Sequence, residues 1–311
     1  MEWSERAGDA SRTWLRGVTR VASASASASA SASASAFASA SASASAFASA
    51  SASASASASA SASASASPPL LAVSLAAGLD APLAVLAARR AGLHVRHAFT
   101  LAIPGTSYDE SRGARELAEA LDLELEILPV RIDLLADALP AAVRATGCAL
   151  YNLHPVSRLL LARAVRARGF EALVTGDGVD QALEGARGRP DYVPLVADLT
   201  RAAGLAWVAP FADDAVVTAL APLARSSTDG LDRKRELRRL AVEEGLPERL
   251  AYAPKRATYA PPLPRACFPS RDRVARLARA LDRELSWCDD DRRNVGVASL
   301  AALVEVFGVE V

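Results

Sequence analysis

The chain has 311 residues, with 35 Lys and Arg balanced by 35 Asp and Glu, so its formal net charge at pH 7 is zero. A neutral chain has no overall field that attracts nucleic acid or an anionic membrane, and we expect neither as a partner. The three cysteines, Cys148, Cys267 and Cys288, lie far apart without a CxxC motif, which argues against a zinc site and a disulfide framework.

The first 67 residues do not predict a globular fold. Residues 1–21 contain early acidic residues and no apolar run typical of a signal peptide, and the chain has no stretch apolar enough to predict a membrane span. Residues 22–67 alternate Ala and Ser, interrupted only by Phe37 and Phe47. Because such a tract has almost nothing to bury, we expect a short N-terminal segment, a disordered low-complexity linker and a cytoplasmic protein.

From Pro68 onward, short apolar runs alternate with helical patterns. Strands are predicted at residues 70–75, 95–103 and 123–130 and from residue 171, and helices at 82–91, 109–121, 134–145 and 156–168. This alternation predicts an α/β domain with a doubly wound parallel sheet over residues 68–185. Beyond residue 185 strand signals fade, which predicts a helical subdomain over residues 186–311 that packs over the ligand edge of the sheet.

The first chemical signal is the stretch LLAVSLAAGLDAPLAVLAARRAG, residues 70–92. A predicted strand enters a turn of small residues, Ala76, Ala77 and Gly78, and a helix begins near Asp80. Free N–H groups and the helix dipole at such a start attract phosphate oxygens. The alternative is that Asp80 only caps the helix. Taken alone, the stretch favours capping, since it has neither a Walker motif nor a GxGxxG motif.

A second acidic turn, VTGDGVDQALEG, follows the predicted strand that begins at residue 171. It contains Thr175, Gly176, Asp177 and Asp180. Because ligands of parallel sheets bind at the carboxyl ends of the strands, we expect these carboxylates near Asp80. One or two carboxylates beside phosphate oxygens are what Mg²⁺ needs. The alternative for this turn is an ordinary acidic, glycine-rich loop.

Together, the two turns resemble motifs of the asparagine synthetase family, whose relatives include β-lactam synthetase. LAAGLDAP, from Leu75, is similar to the family's Ser-Gly-Gly-Leu-Asp-Ser pyrophosphate loop, and TGDGVDQALEG, from Thr175, to its Ser-Gly-Asp/Glu-Gly-x-Asp-Glu-Leu-Phe-Gly-Gly segment. Three further segments match in the same order: YDESRGARELAEAL from Tyr108, VAPFADDAVVTAL from Val208 and KRELRRLAVEEGLPERLAYAPKRATYAPPL from Lys234. The resemblance covers nearly all of residues 70–263 and implies a PP-loop domain of the adenine nucleotide alpha hydrolase type.

The resemblance implies a two-step reaction that uses ATP and Mg²⁺. A substrate carboxylate attacks the α-phosphate to form an acyl-adenylate, and ammonia or an amine then displaces AMP to give an amide. Asp80 and Asp180 match the family's Mg²⁺ ligands. Lys255 matches a catalytic lysine that neutralises phosphate charge, and Asp177 matches a catalytic acidic position linked to proton transfer. The implied nucleotide-binding positions are Ala76, Ala77, Gly78, Asp80, Ala81, Thr100, Thr175, Gly176 and Lys234.

The sequence also departs from the family pattern. Ala76 and Ala81 lack hydroxyl groups and Pro82 lacks an N–H, and each donor lost to a charged ligand costs about 1.5–3 kcal/mol. Residue 2 is Glu and not the Cys that begins the family's glutaminase half, so we expect free ammonia, a substrate amine or a separate partner protein to supply nitrogen. The alternative function is a non-catalytic homologue that binds a nucleotide or a partner protein.

The remaining conspicuous residues are predicted to be structural. No histidine has a companion at metal-ligand spacing, the tryptophans suit packing, and the acidic run from Cys288 suits a solvated charge cluster. These residues are His94, His97, His154, Trp207, Trp287 and the segment CDDDRRN.

Overall fold

The computed structural model describes residues 70–90, 92–104, 106–184, 192–213, 216–218, 220, 234–253 and 261–308. The predictions for the N-terminal segment, for the Ala/Ser tract and for Lys255 lie outside these residues. Within the described ranges, no helix combines the length and the apolar composition needed to cross a membrane.

A five-stranded parallel sheet forms the centre of the fold, in the order β3-β2-β1-β4-β5. The strands are β1 (Leu71–Ser74), β2 (His97–Ala102), β3 (Glu124–Pro129), β4 (Ala172–Val174) and β5 (Ala206–Val208). In the register of the central strand, Val73 is opposite Ala98 of β2 and Val174 of β4. The predicted fold class, α/β with a parallel sheet, is confirmed.

The helices that connect and cover the strands follow the predicted pattern with one break. They are α1 (Asp80–Arg90), α2 (Ser111–Ala120), α3 (Ile132–Asp137), α4 (Leu139–Thr146), α5 (His154–Ala167), α6 (Val179–Glu184), α7 (Tyr192–Ala202), α8 (Arg235–Glu243), α9 (Glu248–Ala251), α10 (Arg271–Leu281) and α11 (Asp291–Phe307), with 3-10 turns at Pro210–Ala212 and Arg265–Cys267. The helix predicted over residues 134–145 is split at Ala138 because Pro140 has no N–H to continue the α-helical ladder.

Helices cover both faces of the sheet, so the sheet is doubly wound as predicted. Leu71 and Val73 contribute to a core that also contains apolar residues of α1, α2 and α8. Ala72, between them, contributes to a second core with Phe99 and with residues of α5. The alternation follows from the strand geometry, which points successive side chains to opposite faces.

Strand β5 corrects the expectation that no strand follows residue 185. It pairs in parallel with β4, with Ala206 opposite Ala172 and Val208 opposite Val174. Three residues are too few to show a period of two in the sequence, and the strand is specified by its pairing with β4. The sheet therefore extends into the range that was predicted to be purely helical.

The C-terminal helices pack on the helical layer at the end of the sheet. Val295 and Ala298 of α11 share a core with Leu135 of α3 and Leu159 of α5. A buried hydrogen bond of 2.6 Å joins the Leu150 N–H to the Ser299 hydroxyl. The helices at the C-terminal end of the chain agree with the predicted helical subdomain. Their packing also sets the position of the residues that precede α11.

The two faces of α3 provide a test of this core. Leu135 is fully buried, whereas its neighbour Leu134 is 52% exposed. We expect Leu135→Ala to lower the free energy of unfolding by about 2–5 kcal/mol, because it leaves a cavity. The control Leu134→Ala should change it by no more than about 0.5 kcal/mol. Urea denaturation of both variants measures the difference, and equal effects would contradict this packing.

Candidate active site

The two acidic loops lie side by side at the point where the order of the sheet reverses. After β1 the chain adds β2 on one side, and it later adds β4 on the other, so the loops that follow β1 and β4 are neighbours. A Cβ atom built on Gly176 would lie 2.3 Å from the Asp80 carbonyl carbon and 2.5 Å from the Ala81 nitrogen. Glycine therefore permits the second loop to touch the start of α1.

A second close approach sets the position of the turn that precedes α1. A Cβ atom on Gly113 of α2 would lie 2.4 Å from the Cβ of Ala77. Ala77 stands where the resemblance places a glycine, and its methyl group uses the space that Gly113 leaves. The substitution at Ala77 is thus compatible with the packing of this turn.

Lys234 joins the two loops through a partly buried ion-pair cluster. Its Nζ lies 2.6 Å from Oδ1 of Asp80 and 2.7 Å from Oδ1 of Asp180. The lysine side chain is only 12% exposed, while the two carboxylates are 23% and 40% exposed. Three residues assigned by the resemblance to the metal and the phosphates therefore lie together, although 154 positions separate Lys234 from Asp80.

Asp177 forms a second ion pair on the same loop, with Arg158 of α5. Arg158 Nη2 donates to Asp177 Oδ1 at 3.1 Å, and Nη1 donates to the Ser74 hydroxyl at 3.0 Å. The Asp177 side chain is 7% exposed. Two atoms of this pair are buried without a hydrogen-bond partner in the described part of the chain. Asp177 Oδ2 accepts no hydrogen bond there, and Arg158 Nε donates none. One carboxylate oxygen is thus fixed by Arg158, and the other has no such partner.

Tyr192 and His154 extend this network. The Tyr192 hydroxyl lies 2.9 Å from His154 Nε2 and also hydrogen bonds with Arg158. Burial raises the pKa of Tyr192 to about 12, although the charge of Arg158 acts in the opposite direction. Burial is the largest influence on Arg158 and lowers its pKa, but the combined effects of Asp177, Tyr192 and Glu110 outweigh it, so the pKa is raised. Arg158 is therefore cationic and Tyr192 is neutral near pH 7.

A cavity of about 1080 Å³ contains both acidic loops. Most of the residues predicted to bind nucleotide or metal line it, and so does the predicted catalytic residue Asp177. The predicted binding residues in the lining are Ala76, Ala77, Gly78, Asp80, Ala81, Thr100, Gly176 and Asp180. Lys234 contacts the wall of the cavity through its ion pairs with Asp80 and Asp180. The volume slightly exceeds the range of roughly 300–1,000 Å³ that is typical of a pocket for a drug-sized ligand.

Thr175 differs from the other predicted residues. It is 1% exposed, it does not line the cavity, and its hydroxyl accepts a hydrogen bond of 3.0 Å from the Trp207 indole. Trp207 was predicted to be a packing residue, and its indole thus also holds Thr175, the residue that follows β4. The catalytic prediction for Lys255 lies in the range 254–260, outside the described residues.

Sequence reasoning missed the acidic segment before α11. Asp289 and Asp291, interpreted as part of a solvated cluster, are exposed but line the mouth of the cavity. The fully buried Asn294 fixes this segment by donating to the Cys288 carbonyl at 2.7 Å and accepting from the Cys288 N–H at 3.1 Å. Asp290 caps α11 by accepting from two backbone N–H groups. Consecutive acidic residues before a helix indicate an N-cap, but they do not indicate that the segment lines a cavity.

Arg158, Tyr192 and His154 were also missed as site residues. All three line the cavity. His154 and Arg158 are four residues apart on α5 and Tyr192 begins α7, so their meeting depends on how these two helices pack. No motif in the sequence marks this contact.

Asp80 and Asp180 suit a magnesium ion. Their carboxylates converge on one cationic position, which the Lys234 ammonium takes here. Within the described ranges, neither this site nor any other offers a group of three or more His, Cys, Asp or Glu residues that could hold a metal. Mg²⁺ is commonly held by one or two carboxylates together with substrate phosphates and water, so a pair of carboxylates at a phosphate site is sufficient.

Comparison with known proteins supports the motif-based assignment. Residues 58–196 match the family model of asparagine synthase, a range that includes both acidic loops and begins inside the Ala/Ser tract. The predicted resemblance to the asparagine synthetase family is confirmed, and the relation to β-lactam synthetase stays a prediction. No curated protein matches the chain in sequence.

Two solved structures are similar to this chain at low identity. One is a predicted subunit of tRNA methyltransferase from Methanocaldococcus jannaschii, with 14% identity and a TM-score of 0.33 over 61% of this chain and 94% of that one. The other is NMN synthetase from Francisella tularensis, with 14% identity and a TM-score of 0.33 over 77% of this chain and 84% of that one.

Replacing Gly176 tests the contact between the loops. We expect Gly176→Ala to lower the free energy of unfolding by about 1–3 kcal/mol, because its methyl group would overlap the Asp80 backbone. Gly78→Ala is the matched control, since a Cβ atom there meets nothing within 4 Å. Chemical denaturation of both variants gives the result, and equal stability of the two would contradict the close approach.

The raised pKa of Tyr192 predicts a loss of stability in alkali. The folded state holds the phenol proton more tightly than the unfolded state, whose pKa is near 10. This stabilisation, roughly 3 kcal/mol, is therefore complete below pH 10 and is lost as the pH rises through about 12. Tyr192→Phe should flatten this pH dependence in urea denaturation, whereas Tyr252→Phe, at an exposed tyrosine, should retain it.

Proposed function

We propose that this chain, which contains an asparagine synthase-type domain, is an ATP- and Mg²⁺-dependent amide-forming synthetase. The observation that carries the proposal is the meeting of Asp80, Asp180 and Lys234 at one wall of a cavity that also contains Asp177. Two carboxylates beside an ammonium and a helix start form an environment suited to a metal-bound polyphosphate.

The start of α1 would bind the phosphates of ATP. The turn formed by Ala76, Ala77 and Gly78 lines the cavity and leads into the start of α1, where backbone N–H groups and the positive end of the helix dipole would attract phosphate oxygens. Backbone donors at this turn do not depend on side-chain hydroxyls. Lys234 would donate to phosphate oxygens from the opposite side, as a compact charge on a flexible stem.

Asp80 and Asp180 would hold Mg²⁺. The ion would neutralise charge on the phosphates and stabilise the departing pyrophosphate. Both carboxylates have rigid supports, since Asp80 begins α1 and Asp180 lies in the first turn of α6.

Asp177 would accept the proton that the attacking amine releases. In the first step the substrate carboxylate forms a bond to the α-phosphorus, and the bond to pyrophosphate breaks. In the second step the amine nitrogen bonds to the acyl carbon, AMP leaves, and a proton passes from nitrogen to a base. Arg158 holds Oδ1 of Asp177, and Oδ2, which has no hydrogen-bond partner among the described residues, would receive that proton. Lys255 would offset the negative charge of the first step.

The substrates would be a small-molecule or peptide carboxylate and an amine or ammonia. The cavity has room for a nucleotide and an acyl group together. A separate protein would deliver the peptide or the ammonia where the substrate itself lacks an amine.

A non-catalytic, nucleotide- or protein-binding homologue is the second candidate. The observation that favours it is the absence of hydroxyl groups at Ala76 and Ala81, two positions that line the cavity. A site that binds phosphate through backbone groups alone can retain the nucleotide without aligning it for attack.

Nucleotide binding provides the first test. Isothermal titration with ATP and Mg²⁺ should show binding to the parent protein, and Asp180→Asn should weaken it by about tenfold or more, because one metal-phosphate contact is lost. The matched control is Asp198→Asn, an exposed aspartate on α7 that pairs only with Arg201 among the contacts described. Absence of ATP binding by the parent would contradict the synthetase.

Pyrophosphate release separates the synthetase from the second candidate. We expect release that requires a carboxylic acid, across a panel of amino acids and peptides supplied with ammonium or amines. Lys255→Ala and Asp177→Asn should each abolish amide formation. Lys255→Ala should leave the thermal unfolding temperature within a few degrees of the parent, whereas Asp177→Asn should lower it further because Arg158 loses its buried partner. ATP binding without acid-dependent pyrophosphate release would favour the non-catalytic homologue.

A further inference from the structure

The Lys234 ammonium lies between the two carboxylates that would hold the metal. Nζ is 2.6 Å from Asp80 Oδ1 and 2.7 Å from Asp180 Oδ1, both within the range of strong charge-assisted hydrogen bonds. We propose that Lys234 is a resident counter-cation that competes with the divalent metal for Asp80 and Asp180, so that arrival of a polyphosphate, by drawing the ammonium away, is what admits the metal. This inference rests on the proposed function, because it takes the polyphosphate to be the nucleotide.

The electrostatics of the cluster support competition for one position. Two carboxylates from different loops converge on a single Nζ that is largely shielded from water. A divalent ion on the same oxygens would be held only a few ångströms from the ammonium, where like charges repel strongly because screening by solvent is weak. The ammonium and the metal therefore cannot both occupy the position between the two Oδ1 atoms.

The attachment of Lys234 allows the ammonium to move without moving the fold. The lysine precedes α8, and that helix is fixed by the buried side chains of Leu237 and Leu240 in the main core. The four-carbon stem of lysine can redirect its three N–H donors by rotation alone. Phosphate oxygens beside α1 would provide new acceptors a short distance away, and the metal would then take the position between the two Oδ1 atoms that the ammonium had held.

This arrangement predicts opposite effects on two ligands. Removing the ammonium should strengthen the binding of a divalent metal alone, since the competing charge is gone. It should weaken the binding of a polyphosphate alone, since a donor is lost. A lysine that only stabilised the fold would change both affinities in the same direction or neither, so the pair of measurements distinguishes the two roles.

The experiment uses the full chain and two separate probes, Mn²⁺ without nucleotide and inorganic pyrophosphate with a chelator present. Free Mn²⁺ is followed by electron paramagnetic resonance, and pyrophosphate binding by isothermal titration. We expect Lys234→Met to bind Mn²⁺ about tenfold or more tightly than the parent and pyrophosphate about tenfold or more weakly. Adding Asp180→Asn to Lys234→Met should abolish the gain in Mn²⁺ affinity.

The matched control is Arg239→Met on the same helix. Arg239 pairs with Glu236 and Glu243 and takes no part in the cluster, so both affinities should equal those of the parent. A thermal melt of each variant ensures that only folded protein is compared, and Lys234→Gln provides a second uncharged variant should Lys234→Met fail to fold.

Equal Mn²⁺ affinity in the parent and in the folded Lys234 variants would overturn the inference, as would a gain that persists after Asp180→Asn. Its failure is distinguishable from failure of the proposed function. The Mn²⁺ comparison needs neither ATP nor turnover, whereas the proposed function fails when the parent neither binds ATP nor releases pyrophosphate.

Discussion

The parallel pairing of β1 with β4 is the constraint on which the site depends. Leu71 is opposite Ala172 and Val73 opposite Val174, so the two strands end at the same level of the sheet. Their loops then continue into α1 and α6 at one edge, although they are separated by about a hundred positions in the sequence. With a glycine at position 176, nothing keeps the second loop away from the Asp80 backbone.

This pairing concentrates negative charge, and the surrounding helices supply the compensation. Lys234 precedes α8 and pairs with Asp80 and Asp180, while Arg158 of α5 pairs with Asp177. Partly buried carboxylates without such partners would be costly to keep ionised. The cluster and the ion pair thus serve the fold in the absence of ligand, and the same charges are available to a metal-bound polyphosphate when one arrives.

The first loop shows how substitutions within a motif can be compatible with its geometry. Ala77 replaces a glycine of the related motif, and the missing side chain of Gly113 in α2 leaves space for its methyl group. Ala76 and Ala81 remove hydroxyl donors but leave the backbone of the turn at the cavity wall. The chemical question is therefore how well backbone donors and Lys234 hold the phosphates, and not whether the pocket forms.

Local pattern was sufficient to predict the parallel sheet, most helices and the acidic loops, because strand and helix periods and the residues of a turn are written in consecutive positions. It was insufficient for β5, three residues long and specified by its pairing with β4, and for the partnership of Arg158 with Asp177. It also missed that Asp289 and Asp291 reach the cavity. These features depend on contacts between distant segments, and only the packing of the helices and strands determines which side chains meet.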